Sequence, residues 1–440
     1  MISKARLIGA VCILLLFQLP IRTGGSLAGS EPVPFRPGAV LVGMHPGASP
    51  AMTTRLLADR GLQIERDLTP LPIVSVRVPI GQEMVTAEDL QKTGRVAFAE
   101  LDYAMHATDV LTPDDPGLSN QWALTQINAP AAWSIVTGTS QVIVAIVDSG
   151  IKLDHEDLAS KLWTNPGEIP GNGIDDDGNG KLDDVHGWHF FHAWTGADYV
   201  PAEDANVADD YGHGTHVAGI AAAATDNGVG IAGVAWGARV MPVKVLDQYG
   251  NGWYSDIVAG IIYAADNGAR IINLSLGGSQ DSQTLRDAVD YARGRGALVI
   301  AATGNTGSAV LYPAAYAPVL AVAATDSNDQ PADFSNYGSQ VDVAAPGVDI
   351  YSTWPWVTGY FTKSGTSMAA PQVAGVAALV WSLEPDDSAD QVEHIIVETA
   401  VDVSSPGWDQ FTGWGRIDAF KAVRRVRPLL LFLPVVFSSS

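Results

Sequence analysis

Between residues 121 and about 426, apolar runs of strand length alternate with stretches of helical spacing, and this alternation limits the possible folds more than any other feature. The runs at 141–147, 239–246, 270–274, 297–301 and 319–323 are predominantly apolar, as strands covered on both faces are. Residues 254–267 and 281–293 lie between them with helical spacing. That order predicts an α/β domain, a parallel sheet flanked by helices. In such sheets reactive side chains gather where strands end at their carboxyl edge, so the loops after strands are where function is sought.

The rest of the chain has a different rhythm. Residues 35–107 read as a small α+β domain: a strand at 39–42, a helix at 50–60, an alternating strand at 73–78, a helix at 86–93 and a closing strand at 96–103. A polar, proline-containing linker at 108–116 separates it from the larger domain, taken as residues 112–426. Residues 1–28 read as an export signal, with Lys4 and Arg6 ahead of an apolar run at 7–19 and small residues at Ser26-Leu27-Ala28. The run is shorter than the ~20 residues of a spanning helix. Cys12, the only cysteine, falls inside it, so removal of the signal would leave no thiol for disulfides, metal sites or catalysis. A formal charge of −23 argues against nucleic acid or an anionic membrane as partner. The tail at 427–440 is apolar yet too short to span a bilayer.

Three segments carry unusual local chemistry. The run Val144-Ala145-Ile146-Val147 ends directly on Asp148, where a turn-starting carboxylate is the bland alternative. His213 lies between two glycines at the start of an alanine-rich helix, where the positive end of the dipole helps keep an imidazole neutral. His216 follows it without the glutamate of a zinc-binding pair and is expected to be a packed helical residue. Ser367 opens a helix of small and apolar residues, a position that also suits a cap. Asp, His and Ser in this chain order, each in a glycine-bearing turn, form a nucleophile, its base and the carboxylate that orients the base.

With these motifs the chain, over residues 112–426, resembles the subtilisin-like serine proteases, close to their thermitase-like branch. The resemblance implies an endopeptidase in which Asp148, His213 and Ser367 form the triad and the Asn305 side chain, with the Ser367 backbone N–H, stabilises the oxyanion. Intact residues at all four positions argue against the competing class, an inactive binding protein on the same fold. The resemblance also makes Ser275-Leu276-Gly277 and Gly250-Asn251-Gly252 the two edges that pair with an extended peptide, giving broad cleavage. It places Leu311 at the floor of the main specificity pocket, which would favour apolar side chains. Residues 35–107 resemble the family's inhibitory propeptide, cut between 106 and 111 by the enzyme itself. The expected protein is therefore a secreted, monomeric zymogen acting on proteins and peptides, with its own propeptide as partner; the tail could hold it at the cell surface.

Calcium is the expected cofactor. Residues 175–184 place Asp175, Asp177 and Asn179 at alternate positions before a glycine, like the first half of an EF-hand loop. His186 stands where that loop would carry its closing glutamate, and Asp183 or Asp184 could take the role; a solvated acidic loop is the alternative. A second site, on Asp115, Asp157 and Asn227, is implied by the family resemblance alone.

Overall fold

The computed structural model describes residues 35–45, 47, 49–103 and 111–427. The expected export signal, the expected maturation junction and all but the first residue of the apolar tail lie outside the described residues. The chain forms two compact units, divided between residues 107 and 108.

The first unit runs β1 (Phe35–Met44), α1 (Pro50–Ala58), β2 (Gln63–Asp67), β3 (Ile73–Arg77), α2 (Glu83–Lys92) and β4 (Val96–Tyr103). Its sheet is antiparallel in the order β2-β3-β1-β4. Val40, Val42, Val74 and Val76 from the strands pack with Leu57 and Leu90 from the helices, so the unit has a core of its own. Ser49 caps α1 by accepting from the Met52 N–H, and Pro50 supplies the first turn, where a missing N–H is harmless. Strand β2 reads Gln-Ile-Glu-Arg-Asp and is exposed throughout, which is why its composition carried no strand signal.

The second unit begins with α3 (Trp122–Gln126) and α4 (Ala129–Trp133), followed by β5 (Ile143–Asp148), β6 (Trp188–Trp194), β7 (Tyr199–Asp204), α5 (His213–Ala222) and β8 (Arg239–Lys244). It continues through α6 (Tyr254–Asp266), β9 (Ile271–Leu274), α7 (Gln283–Gly294), β10 (Leu298–Ala302), β11 (Val319–Thr325) and β12 (Val343–Pro346). It closes with β13 (Ile350–Thr353), β14 (Tyr360–Lys363), α8 (Thr366–Leu383), α9 (Ala389–Glu398) and α10 (Ala419–Val426).

Eight strands form one sheet in the order β12-β11-β10-β9-β5-β8-β6-β7, and every pair is parallel except β6 with β7. Strand β5 is central, with β8 on one side and β9 on the other. Its side chains alternate between two cores: Val144 and Ile146 join the one containing α5 and α8, while Ala145 and Val147 join the one containing α6 and α7. The chain changes direction across the sheet at β5, which opens a crevice at the carboxyl ends of β5 and its neighbours.

Helix α8 is buried from Thr366 to Trp381. Small residues let it approach its neighbours: a Cβ at Gly375 would lie 2.5 Å from the Val234 Cβ. It is also the one helix among the described residues long and apolar enough to cross a membrane, and its burial marks it as a core helix.

Candidate active site

Asp148 is the last residue of β5 and is fully buried. His213 is the first residue of α5. Its Nδ1 lies 2.8 and 2.9 Å from the two oxygens of Asp148. With the carboxylate ionised, Nδ1 carries the proton and Nε2 keeps its lone pair. The glycine after His213 serves the strand end: a Cβ at position 214 would sit 2.2 Å from the Gly150 carbonyl oxygen.

Asp209 holds this turn in place. Its Oδ1 accepts from the N–H groups of Tyr211 (3.1 Å) and Gly212 (2.7 Å) and from Ser149 Oγ (2.9 Å). Its Oδ2 accepts from the Thr215 N–H and hydroxyl. Ser149 Oγ in turn accepts from the Gly214 N–H at 2.9 Å. Lys244, buried beside Asp148 on β8, donates to the Ser149 carbonyl and to Asp210. Motif reading singled out none of these supports, because a short polar side chain in a turn has the same local signature whether it braces a site or merely caps a helix.

Ser367 is the second residue of α8, so its backbone N–H lacks an intrahelical acceptor. Its hydroxyl donates to the carbonyl of Ser275, the first residue after β9, at 3.0 Å. Asn305 follows β10 by three residues. Its Oδ1 accepts from the Thr366 N–H (2.8 Å) and hydroxyl (2.9 Å). The backbone donor fixes which end of the amide is oxygen, and so leaves the Nδ2 hydrogens free to act.

A cavity of about 330 Å³ is lined by His213, by Gly250, Asn251 and Gly252 on one wall, and by Ser275, Leu276 and Gly277 on the other. The structure thus gathers around the imidazole both segments that the resemblance expects to pair with a peptide. Leu246, Tyr254 and Ile257, which motif reading missed, complete an apolar lining. Leu311 packs between Gly277 and Gly304, where a Cβ on either glycine would press against it.

His216 is fully buried, with Nε2 donating to the Phe361 carbonyl at 3.0 Å. Burial pushes its pKa down to about 3, so it is a neutral packed residue, as its spacing suggested.

The two places where calcium is expected differ in construction. Asp115 and Asp157 are both buried, and burial raises both carboxyls above the usual range. Asn227 donates to Asp157 Oδ1 at 3.1 Å, while Asp115 Oδ1 is buried with no hydrogen-bond partner. An oxygen-rich site with such an orphaned acceptor fits a hard cation. In the second locus Asp175, Asp177 and Asn179 lie together. Asp183 caps the N–H groups of Gly171 and Gly173, both at 2.9 Å. Asp184 accepts from Asn165, Asn179 and Tyr263, and His186 bonds the Trp163 carbonyl.

A parallel sheet with carboxylate, imidazole, hydroxyl and amide gathered at its carboxyl edge defines a serine peptidase. The model of the subtilase family matches residues 139–415, and the chain belongs to that family. Thermitase of Thermoactinomyces vulgaris is 44% identical over 317 residues, which span 71% of this chain and 99% of the relative. A thermophilic serine proteinase of Bacillus sp. (strain AK1) is 39% identical over 348 residues, 78% of this chain and 77% of its own. Among solved structures, a protease from Pseudoalteromonas arctica matches at a TM-score of 0.61 and 34% identity, covering 72% of this chain and 100% of its own. The chain is a serine endopeptidase on the subtilisin fold, in the thermitase-like branch.

Proposed function

We propose that this subtilase is a secreted, calcium-stabilised endopeptidase, made as a self-processing zymogen, that cleaves by the triad Asp148, His213 and Ser367. The observation that carries the assignment is His213 Nδ1 seated on both oxygens of a buried Asp148. Asp148 holds the tautomer that leaves Nε2 as a base and stabilises the imidazolium formed during attack. The Ser367 hydroxyl leaves the Ser275 carbonyl and gives its proton to Nε2 as Oγ bonds to the scissile carbon. The carbonyl electron pair moves onto oxygen, which receives hydrogen bonds from Asn305 Nδ2 and the Ser367 N–H. Collapse breaks the C–N bond while the imidazolium protonates the leaving amine, and water then repeats the cycle on the acyl-enzyme. A serine-directed fluorophosphonate should add to Ser367, and Ser367→Ala should abolish casein hydrolysis. Full cleavage by purified Ser367→Ala would reject the assignment.

The walls at 250–252 and 275–277 support an extended substrate paired through its backbone, hence broad specificity. Leu311, uncharged and wedged between two glycines, supports a pocket for apolar side chains of moderate size. A peptide library showing a preference for lysine or arginine would overturn that.

The separate core of the first unit supports its role as a propeptide that folds on its own. Ser367→Ala should accumulate as full-length precursor; normal maturation of the variant would assign processing to another protease. N-terminal sequencing of the exported precursor tests cleavage after residue 28. Calcium held by Asp115, Asp157 and Asn227 would neutralise buried carboxylates and secure the loop at 225–231. The acidic loop at 175–184 is the second calcium locus.

A further inference from the structure

We infer that the calcium of the acidic loop is held by Glu168, Asp175 and Asp177, with Asp183, Asp184 and Asn179 building the loop around them. The inference rests on the loop's reading as a calcium locus and revises which side chains touch the ion. A carboxylate oxygen of each of these three residues lies within 4.8 Å of the other two. Three acids at that separation repel one another, and among the described residues no salt bridge reaches any of them. Lys181, the basic side chain of the loop, is paired with Glu203.

Glu168 supplies the independent sign that something binds there. The residue is only 7% exposed. Its Oε1 accepts from the N–H groups of Asp176 (3.0 Å) and Asp177 (3.3 Å), whereas Oε2 is sealed from solvent with no partner. A buried carboxylate oxygen left unpaired is strongly unfavourable, and a cation at the cluster would satisfy it. Asp177 reaches the cluster because residue 167 is glycine: a Cβ there would lie 2.6 Å from the Asp177 Cβ.

The other acids are committed elsewhere. Both oxygens of Asp183 are bound to backbone N–H groups. Asp184 is fully buried and takes donors from Asn165 (2.7 Å), Asn179 (3.1 Å) and the Tyr263 hydroxyl (2.7 Å). Asn179 Oδ1 accepts from the Lys181 N–H at 2.7 Å, and its Nδ2 braces Asp177 and Asp184. Asp175 and Asp177 also accept backbone N–H bonds, yet each ionised carboxylate keeps further lone pairs for a metal. An all-oxygen ligand set selects calcium over zinc, and the irregular loop geometry selects it over magnesium. The ion would tie the start of the loop to its turn, and the Asp184–Tyr263 bond would pass that restraint to α6.

The test uses the full-length Ser367→Ala chain, stripped with chelator and titrated calorimetrically with calcium chloride, then separately with magnesium chloride. Glu168→Gln keeps the acceptor for both N–H groups, and Asp177→Asn alters a more exposed ligand. Each should abolish one equivalent of calcium or weaken it about tenfold or more, with unchanged circular dichroism in calcium-free buffer. Asp115→Asn should affect a different equivalent, and magnesium should fail to compete at similar concentration. If Asp183→Asn loses the equivalent and Glu168→Gln retains it, the loop binds calcium but this ligand assignment falls. If every loop variant binds like the parent, the loop is no calcium site and the inference falls with it.

Discussion

Ser275 and Ser367 hold each other through two crossed hydrogen bonds: Ser275 Oγ donates to the Ser367 carbonyl at 2.9 Å, and Ser367 Oγ donates to the Ser275 carbonyl at 3.0 Å. Helix α8 creates the need for the first of these. Pro371 sits four residues after Ser367 and has no N–H, so the Ser367 carbonyl lacks its helical donor. Asn273 Nδ2 bonds Ser275 Oγ at 2.9 Å and fixes its direction. Ser275→Ala should leave that carbonyl unsatisfied, at about 1–3 kcal/mol, lowering both the melting temperature and kcat. Adding Pro371→Ala to Ser275→Ala should restore part of the melting temperature, because residue 371 then offers an N–H. Strictly additive losses in this double-mutant cycle would refute the pairing argument.

Thr366 is fully buried and bonds Asn305, the proposed oxyanion donor, so it would act as a positioning residue. Its hydroxyl accepts from the Gly304 N–H at 3.1 Å and donates to Asn305 Oδ1. Asn305→Ala should lower kcat by about a hundred- to a thousandfold, as loss of one oxyanion donor does. Thr366→Val keeps the backbone bond to Asn305 and should cost roughly tenfold, about the worth of one hydrogen bond, with KM nearly unchanged. Steady-state kinetics on a peptide anilide separate the cases. A Thr366→Val defect confined to KM would mean the hydroxyl orients nothing.

Legibility in the sequence tracked the kind of force at work. Strands such as β9 and β11 are covered on both faces, so their apolar runs announced them. The β6–β7 hairpin escaped notice because β7 is mostly exposed and mixed in composition, and β14 (Tyr-Phe-Thr-Lys) likewise lacks a buried face. Asp148, His213 and Ser367 stood out because each sits where a strand or helix begins or ends, in a glycine-bearing turn. Thr366, Asp209 and Ser149 did not, since their importance arises from contacts spanning about sixty residues of sequence. Nothing in the sequence around Glu168 sets it apart from other loop acids; only its buried, unpartnered oxygen does.

Calcium removal should destabilise the enzyme before it alters the chemistry. Asp115 and Asp157 are buried acids held above the usual carboxyl range by desolvation, and a bound cation offsets that penalty. In Ser367→Ala, which cannot digest itself, excess chelator should lower the melting temperature by about 5–10 °C. Asp115→Asn should shrink the chelator effect. Protons compete for the same oxygens, so the protection given by calcium should also weaken as the buffer is acidified. Identical melting with calcium and with excess chelator would exclude a stabilising ion at either locus.

Asp342 should make part of the stability depend on pH in the opposite direction from a salt-bridged acid. Its Oδ2 accepts the Ala321 N–H at 2.8 Å, and burial, reinforced by the charge of Glu393, pushes its pKa up to about 7 from 3.8. Between those values the folded chain keeps a proton that the unfolded chain releases. The contribution is therefore fully present below pH 3.8 and lost as pH rises through about 7, with no further change above it. The slope is at most about 1.4 kcal/mol per pH unit. Asp342→Asn retains an acceptor for Ala321 and cannot ionise. Measured in the Ser367→Ala background, it should match its parent near pH 4 and melt higher by pH 8, with the gap opening across pH 4–7. A gap that is constant with pH, or that closes as pH rises, would show that Asp342 is ionised in the fold at ordinary acidity.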